Sequence, residues 1–181
     1  LLEQQNKIHL QLQESLAQMS ENNQRLAEIS KTDQLTGLYN RWGFLDNVQS
    51  ITTNPMNYGK QIMVLYADMD NLKLINDKYG HDEGDFAIKE VASILKEAFR
   101  STDVVARFGG DEFVAFALIG ISEYENVIKQ RILEITAMHN ATAGKSYPIE
   151  MSIGICESFC TPAMDIADIL DIADKRLYLE K

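Results

Sequence analysis

The chain has 181 residues, 45% of them hydrophobic, with 27 Asp and Glu against 17 Lys and Arg and a net charge of −10. That length fits one domain plus an appendage, with a core able to bury about two-thirds of the unfolded surface, and the acidic balance argues against a nucleic-acid polymer or an anionic membrane as partner. No apolar run is long enough to span a bilayer and no signal peptide is evident, so the domain is expected in the cytoplasm, while the missing initial Met leaves room for an upstream sensor or membrane anchor in a longer protein.

Residues 1–32 contain no Gly or Pro and carry a seam of alternating three- and four-residue spacing: Leu1, Gln5, Ile8, Leu12, Ser15, Met19, Asn22, Leu26 and Ile29. This predicts an N-terminal helix that pairs with a second copy as a parallel coiled coil. Asn22 in the seam would fix register and oligomer number. The alternative is a single amphipathic helix lying on its own domain.

The remainder, 33–181, reads as an α/β domain. A helix is expected over 33–50, capped by Thr32 or Asp33, followed by a loop with Pro55 and Gly59. A strand follows at 61–67, then a helix or broken helix at 71–78 and a longer helix at 83–99. Strands at 103–108 and 112–119 form a hairpin, and a helix at 122–139 returns to the sheet. Residues 143–147 read as a short edge strand, 149–157 as a further strand, and 165–180 as the closing helix. The apolar strands predict a sheet buried on both faces. Cys156 and Cys160, with no partner pair, are expected as reduced, partly buried thiols.

Two carboxylate sites stand out. Gly109 and Gly110 allow a tight hairpin turn with positive φ and a close approach by another molecule, and Asp111 and Glu112 follow at once. The apolar strand at 61–67 ends in Asp68-Met69-Asp70, where ligands of open α/β sheets gather. Asp70 reads as the cap of the next helix. Asp68 facing a hairpin-tip carboxylate makes a hard-oxygen site suited to Mg²⁺. Strand alternation places Glu112 on the face opposite Asp111 unless the turn defeats it.

Gly109-Gly110-Asp111-Glu112-Phe113 resembles the signature of the GGDEF family, the diguanylate cyclases. The segments Asp33–Arg41, Asp68–Asp77, Gly80–Asp85 and Ala173–Tyr178 resemble further blocks of that family, in its order. The resemblance implies a palm-like mixed central sheet flanked by helices, similar to nucleotidyl cyclases, and an enzyme joining two GTP into cyclic di-GMP with release of two pyrophosphates across a homodimer. Two Mg²⁺ or Mn²⁺ ions per active site would clamp the attacking and leaving oxygens. The resemblance implies Asp68, the Met69 carbonyl and Asp111 as their ligands, Asp111 as the group that deprotonates the attacking hydroxyl, and Glu112 in support.

For GTP it implies phosphate contacts from the helix start at Leu72 and Lys73, from Gly109 and Gly110, and from Lys181. Leu72 stands where relatives have Phe, and the family's Gly-Arg-Asn continuation after Lys181 is absent. Asn76 and Asp85 match the guanine contacts, since a carboxylate accepts from guanine N1–H and N2–H₂, and His81 lies between them. On the residues alone, Asp85 also reads as a helix cap and Asn76 as a structural amide. Arg100 and Asp103 match an Arg-x-x-Asp product-binding motif, with Arg131 as second arginine, through which cyclic di-GMP would inhibit. A catalytically silent GGDEF module that binds GTP or cyclic di-GMP is the competing expectation.

Overall fold

The computed structural model describes residues 31–120 and 124–180, together with scattered helical positions from His9 to Met19. Four strands build the sheet: β1 (Gln61–Met69), β2 (Val104–Gly109), β3 (Glu112–Ile119) and β4 (Met151–Phe159), in the order β2-β3-β1-β4. The helices are α1 (Arg41–Thr52), α2 (Leu72–Tyr79), α3 (His81–Ala98), α4 (Tyr124–Ala143) and α5 (Ile166–Glu180). The chain runs β1-α2-α3-β2-β3-α4-β4, so each crossover skips one strand, and all three strand pairings are antiparallel. This is the split βαβ arrangement of a palm. An isolated parallel bridge, Tyr39 to Ala106, extends the β2 edge.

β1 organises the core. Its odd positions, Met63, Leu65, Ala67 and Met69, join one apolar cluster with Ile75, α3 and α4. Its even positions, Ile62 and Val64, join a second cluster with Phe44 and Val48 of α1 and Ile169, Leu170 and Ala173 of α5. Burial on both faces fixes the register of this strand, because a slip of one residue would exchange the two sets. Tyr66 and then Asp68 continue the even row, so Asp68 emerges on the α1/α5 face.

Three elements differ from the sequence expectation. The segment from Asp33 is a turn and helix α1 starts at Arg41, its cap being Asn40, whose Oδ1 accepts from the Gly43 N–H at 2.9 Å. The local chemistry of Asp33 wins there. Its carboxylate accepts from the Thr36 N–H (2.9 Å) and hydroxyl (2.7 Å), and Gly37 takes φ 69°. Residues 144–150 are loop and not an edge strand. Pro148 lacks a donor and biases its neighbour, and the Asn140 side chain clasps both the N–H and C=O of Ile149, at 2.7 and 2.9 Å. Helix α3 begins at His81, two residues before the expected start, after Gly80 at φ 93°. Cys156 and Cys160 are buried free thiols, as expected. At the described helical positions of the N-terminal segment Leu12, Leu16 and Met19 are exposed, and the rest of the predicted coiled coil, Asn22 included, lies outside the described residues. No helix among the described residues is long and apolar enough to cross a membrane.

Gly154 of β4 lies directly under α5: a Cβ there would overlap the Ala173 carbonyl oxygen and the Leu177 backbone. Gly154→Ala is expected to push α5 off the sheet and cost about 3 kcal/mol, read as a lower urea midpoint. An unchanged midpoint would mean that α5 is not seated on this strand.

Candidate active site at the end of the central strand

The β1 register pairs Asp68 with Glu112 on one side and Ser152 on the other. Side chains directly opposite in an antiparallel pair share a face, so Glu112 is the cross-strand neighbour of Asp68. Asp111 stands just before β3, and its carbonyl accepts the Met69 N–H at 2.9 Å. The Glu112 carboxyl is raised above the ordinary range, first by desolvation and then by the charges of Asp111, Asp68 and Asp174, with Arg41 opposing. Tyr66, two residues before Asp68 on the same row, is pushed to about 12 by burial and then by Glu112 and Asp174. Asp68 and Asp174 both line a cleft of about 510 Å³ beside α5.

Four carboxylates thus share one neighbourhood. Among the described residues no three metal-binding side chains converge tightly enough to chelate an ion unaided. That donor set suits Mg²⁺, which uses one or two carboxylates and completes its shell with water and substrate phosphates.

Arg107 shapes the turn that carries Asp111. Its Nε and Nη2 donate to the Gly110 carbonyl at 3.0 and 2.8 Å, and its Nη1 reaches both carboxylate oxygens of Asp33 at 3.2 Å. Gly109 and Gly110 take φ 150° and 48° beside an irregular step in the ladder, conformations that L side chains rarely adopt. Asp33 is desolvated, yet the Thr36 bonds and Arg107 hold its carboxyl below the ordinary value.

On the other side of β1 the chain turns into α2. Asp70 is not the helix cap: its carboxylate accepts from the Ser152 hydroxyl at 2.9 Å and its N–H donates to the Glu150 carbonyl at 3.0 Å. Asn71 occupies the cap position with φ 62° and no side-chain capping bond, which leaves the first N–H groups of α2 for an anion. Leu72 is half-buried there and Lys73 exposed. The Asn76 amide lies against Gly84, where any Cβ would collide with it. Asp85, the next residue, is exposed inside α3 and so does not cap it. His81 is exposed at the α3 start. Lys181 lies outside the described residues.

Arg100 and Asp103 line a separate cleft of about 430 Å³ with Lys96, Ser101 and the turn 37–39. The Arg100 N–H donates to Asp103 at 2.9 Å, and burial raises the Asp103 carboxyl. Arg131 does not line this cleft; its Nη1 donates to the Ala98 carbonyl at 3.1 Å, closing the end of α3.

The sequence reading gave no role to Arg107, Gly84, Ser152 or Asp174. Arg107 carried a signal, a cation ending an otherwise apolar strand. Asp174 carried none beyond its place in the closing motif, since a helix residue meets the strand end only through packing.

Fold and site define a palm-type α/β domain with an acidic cluster at one end of its sheet. The family model for the diguanylate cyclase GGDEF domain matches residues 30–181. Diguanylate cyclase DgcS of Shewanella oneidensis is 31% identical over 158 residues, which are 87% of this chain and 52% of that protein. Cyclic di-GMP phosphodiesterase NbdA of Pseudomonas aeruginosa is 33% identical over 140 residues, 77% of this chain and 18% of that protein. The coiled coil and GGDEF domain of DgcB from Caulobacter crescentus, solved in complex with c-di-GMP, superposes with a TM-score of 0.70 at 25% identity, covering 94% of this chain and 92% of that one. The chain belongs to the GGDEF family. It spans about half of one of these curated relatives and under a fifth of the other.

Arg107→Ala removes three donors from the Asp33 and Gly110 oxygens, a loss of about 1–3 kcal/mol. Asp33 has a lowered carboxyl, so its contribution is full above the ordinary carboxylate value and is lost as pH falls through the lowered one. Without Arg107 that loss comes at higher pH. The acid-unfolding midpoint, followed by circular dichroism, is expected to rise; an unmoved midpoint would make the ion pair incidental.

Proposed function

We propose that this domain is a diguanylate cyclase, condensing two GTP into cyclic di-GMP with release of two pyrophosphates. The observation that carries the reading is the cross-strand placement of Asp68 beside Glu112 and Asp111, at the sheet end where α2 also begins. In each half-reaction the 3′-oxygen of one nucleotide attacks the α-phosphorus of the other, the bond to pyrophosphate breaks, and the hydroxyl proton is taken up by a base. Asp111 is that base and Glu112 supports it. Asp68, the Met69 carbonyl and Asp111 would hold two Mg²⁺ or Mn²⁺ ions, which when bound neutralise phosphate charge and polarise the reacting oxygens.

The chain's own groups do the rest. The open N–H groups at Leu72 and Lys73, the Lys73 charge, the Gly109-Gly110 backbone and Lys181 take the phosphates. Asn76 and Asp85 select guanine, with His81 at the edge of that pocket. One domain holds one GTP, so two copies must face each other, brought together by the N-terminal helix; its exposed Leu12 and Met19 support pairing. Arg100 and Asp103 bind product in their own cleft and hold the domains in a non-productive arrangement. Arg131 serves there only if it leaves Ala98.

A silent GGDEF module is the second reading, favoured by one observation: a comparable segment forms part of a protein named for cyclic di-GMP breakdown. Incubation of purified protein with GTP and Mg²⁺, followed by chromatography for cyclic di-GMP, separates the two. Asp111→Asn is expected to lower the rate on the order of 10²-fold or more with thermal melting little changed; activity within a few-fold of the parent would remove Asp111 from the site.

Arg100→Ala addresses the product cleft. Initial rates are expected to stay near the parent, and the slowing of progress curves as product accumulates should be relieved. Unchanged inhibition would leave Arg100 and Asp103 as a helix-end turn.

A further inference from the structure

The two groups assigned to guanine stand on different helices. Asn76 is on α2 and Asp85 on α3, and the chain passes from one helix to the other at Gly80, at φ 93° with nothing in the space a Cβ would take. A glycine joint of this kind does not fix the angle between its arms. The Asn76 amide against Gly84 sets how closely the two helices approach, and contacts beyond the joint must hold the angle between them.

The loop that replaced the expected edge strand grips both arms. Lys145 Nζ lies 2.9 and 2.8 Å from the two carboxylate oxygens of Glu83 in the first turn of α3. The Tyr147 hydroxyl donates to the same carboxylate at 2.6 Å. The Tyr147 ring packs on Tyr79, the last residue of α2, with centroids 5.1 Å apart. Lys145 also lies 4.1 Å over the Phe86 ring. The downstream end of the loop is fixed as well, by Asn140 on Ile149 and by the Asp70 N–H on the Glu150 carbonyl. One segment therefore spans from the joint between the guanine-bearing helices to the turn after β1.

We propose that Lys145 and Tyr147, acting through Glu83, are positioning residues for base selection: they set the α2–α3 angle at Gly80 and thereby the geometry with which Asn76 and Asp85 meet guanine. The inference rests on the guanine assignment made above. The carboxylate and the amide are both needed to read the N2 amine, so a loosened joint should weaken that contact most. Lys145 and Tyr147 bond Glu83 and neither the strand-end carboxylates nor the N–H groups at Leu72 and Lys73, so variants at these two positions should spare phosphate affinity.

GDP and IDP, unreactive probes that differ only in the N2 amine, test this by calorimetry with Mg²⁺ on the whole chain. Tyr147→Phe keeps the ring on Tyr79 and deletes only the hydroxyl. It is expected to weaken GDP about tenfold while IDP changes little, so the preference for guanine narrows, with thermal melting within a few degrees of the parent. Glu83→Gln, which leaves an acceptor for Tyr147 but no charge for Lys145, should fall between the two, and Lys145→Arg should keep the parent's preference. If GDP and IDP weaken together, or neither changes, these contacts are only packing and the inference is overturned. If the parent itself does not prefer GDP to IDP, the guanine assignment falls, a failure visible before any variant is made.

Discussion

The site depends on an unfavourable pairing held in place by the core. Asp68 and Glu112 are directly opposed on neighbouring strands, and like charges in that relation repel. A strand free to slide would relieve the repulsion by slipping one residue. β1 cannot, because Met63, Leu65 and Ala67 are fully buried on one face and Ile62 and Val64 on the other. The two apolar clusters thus impose a carboxylate pair that the strand ends would not choose. Burial first, and the neighbouring carboxylates second, raise the Glu112 carboxyl and push the Tyr66 hydroxyl to about 12. A bound cation would offset the carboxylate part of these shifts and leave the part due to burial.

The hairpin tip poses the opposite difficulty, too little structure. Two positive-φ glycines give it shape without side chains, and its backbone needs an external anchor. Arg107 supplies one, satisfying the Gly110 carbonyl with two donors and spending the rest of its planar fork on Asp33. The side chains of this ion pair are only 11% and 22% exposed, so it lies beyond the reach of most salt screening. It also makes the tip mechanically continuous with the turn 33–39, which follows the N-terminal segment and lines the cleft of Arg100 and Asp103. A displacement of that turn has a direct route to the residues beside Asp111, through one guanidinium.

Elements with strong apolar periodicity were legible in the sequence. The four strands and the helices from α2 onward lie within a few residues of expectation, because each buries a face that its pattern announces. Errors fell where local polar chemistry competes with helix or strand. The Asp33–Thr36 turn displaced a helix start. Pro148 with Asn140 cancelled an edge strand. Ser152 drew Asp70 away from the cap position. The site was legible where a motif names residues close in sequence, as at Asp68 and Asp111. It was illegible where packing does the assembly. Glu112 as the partner of Asp68 follows from strand register, Asp174 from the seating of α5, and the wedge of Asn76 on Gly84 from the closeness of α2 and α3.

Charge links these parts in the proposed reading. A chain of net charge −10 with clustered carboxylates repels a free triphosphate, so the nucleotide's own energetics cannot bring it to the strand end. Among the described residues the positive groups near this strand end include Lys73 on the first turn of α2, Arg41 beside Glu112 and Lys175 lining the cleft of Asp68 and Asp174, with the first N–H groups of α2 after Asn71. Divalent ions bridge carboxylate and phosphate, and the donor set is too sparse to hold them alone. Metal and nucleotide must then bind with positive coupling, each lowering the cost of the other. In that reading the guanine end, met by the Asn76 amide and the Asp85 carboxylate, adds hydrogen bonds to an uncharged base. The base-selecting groups of that reading stand on two helices joined at Gly80, so the grip on the base depends on how that joint is held.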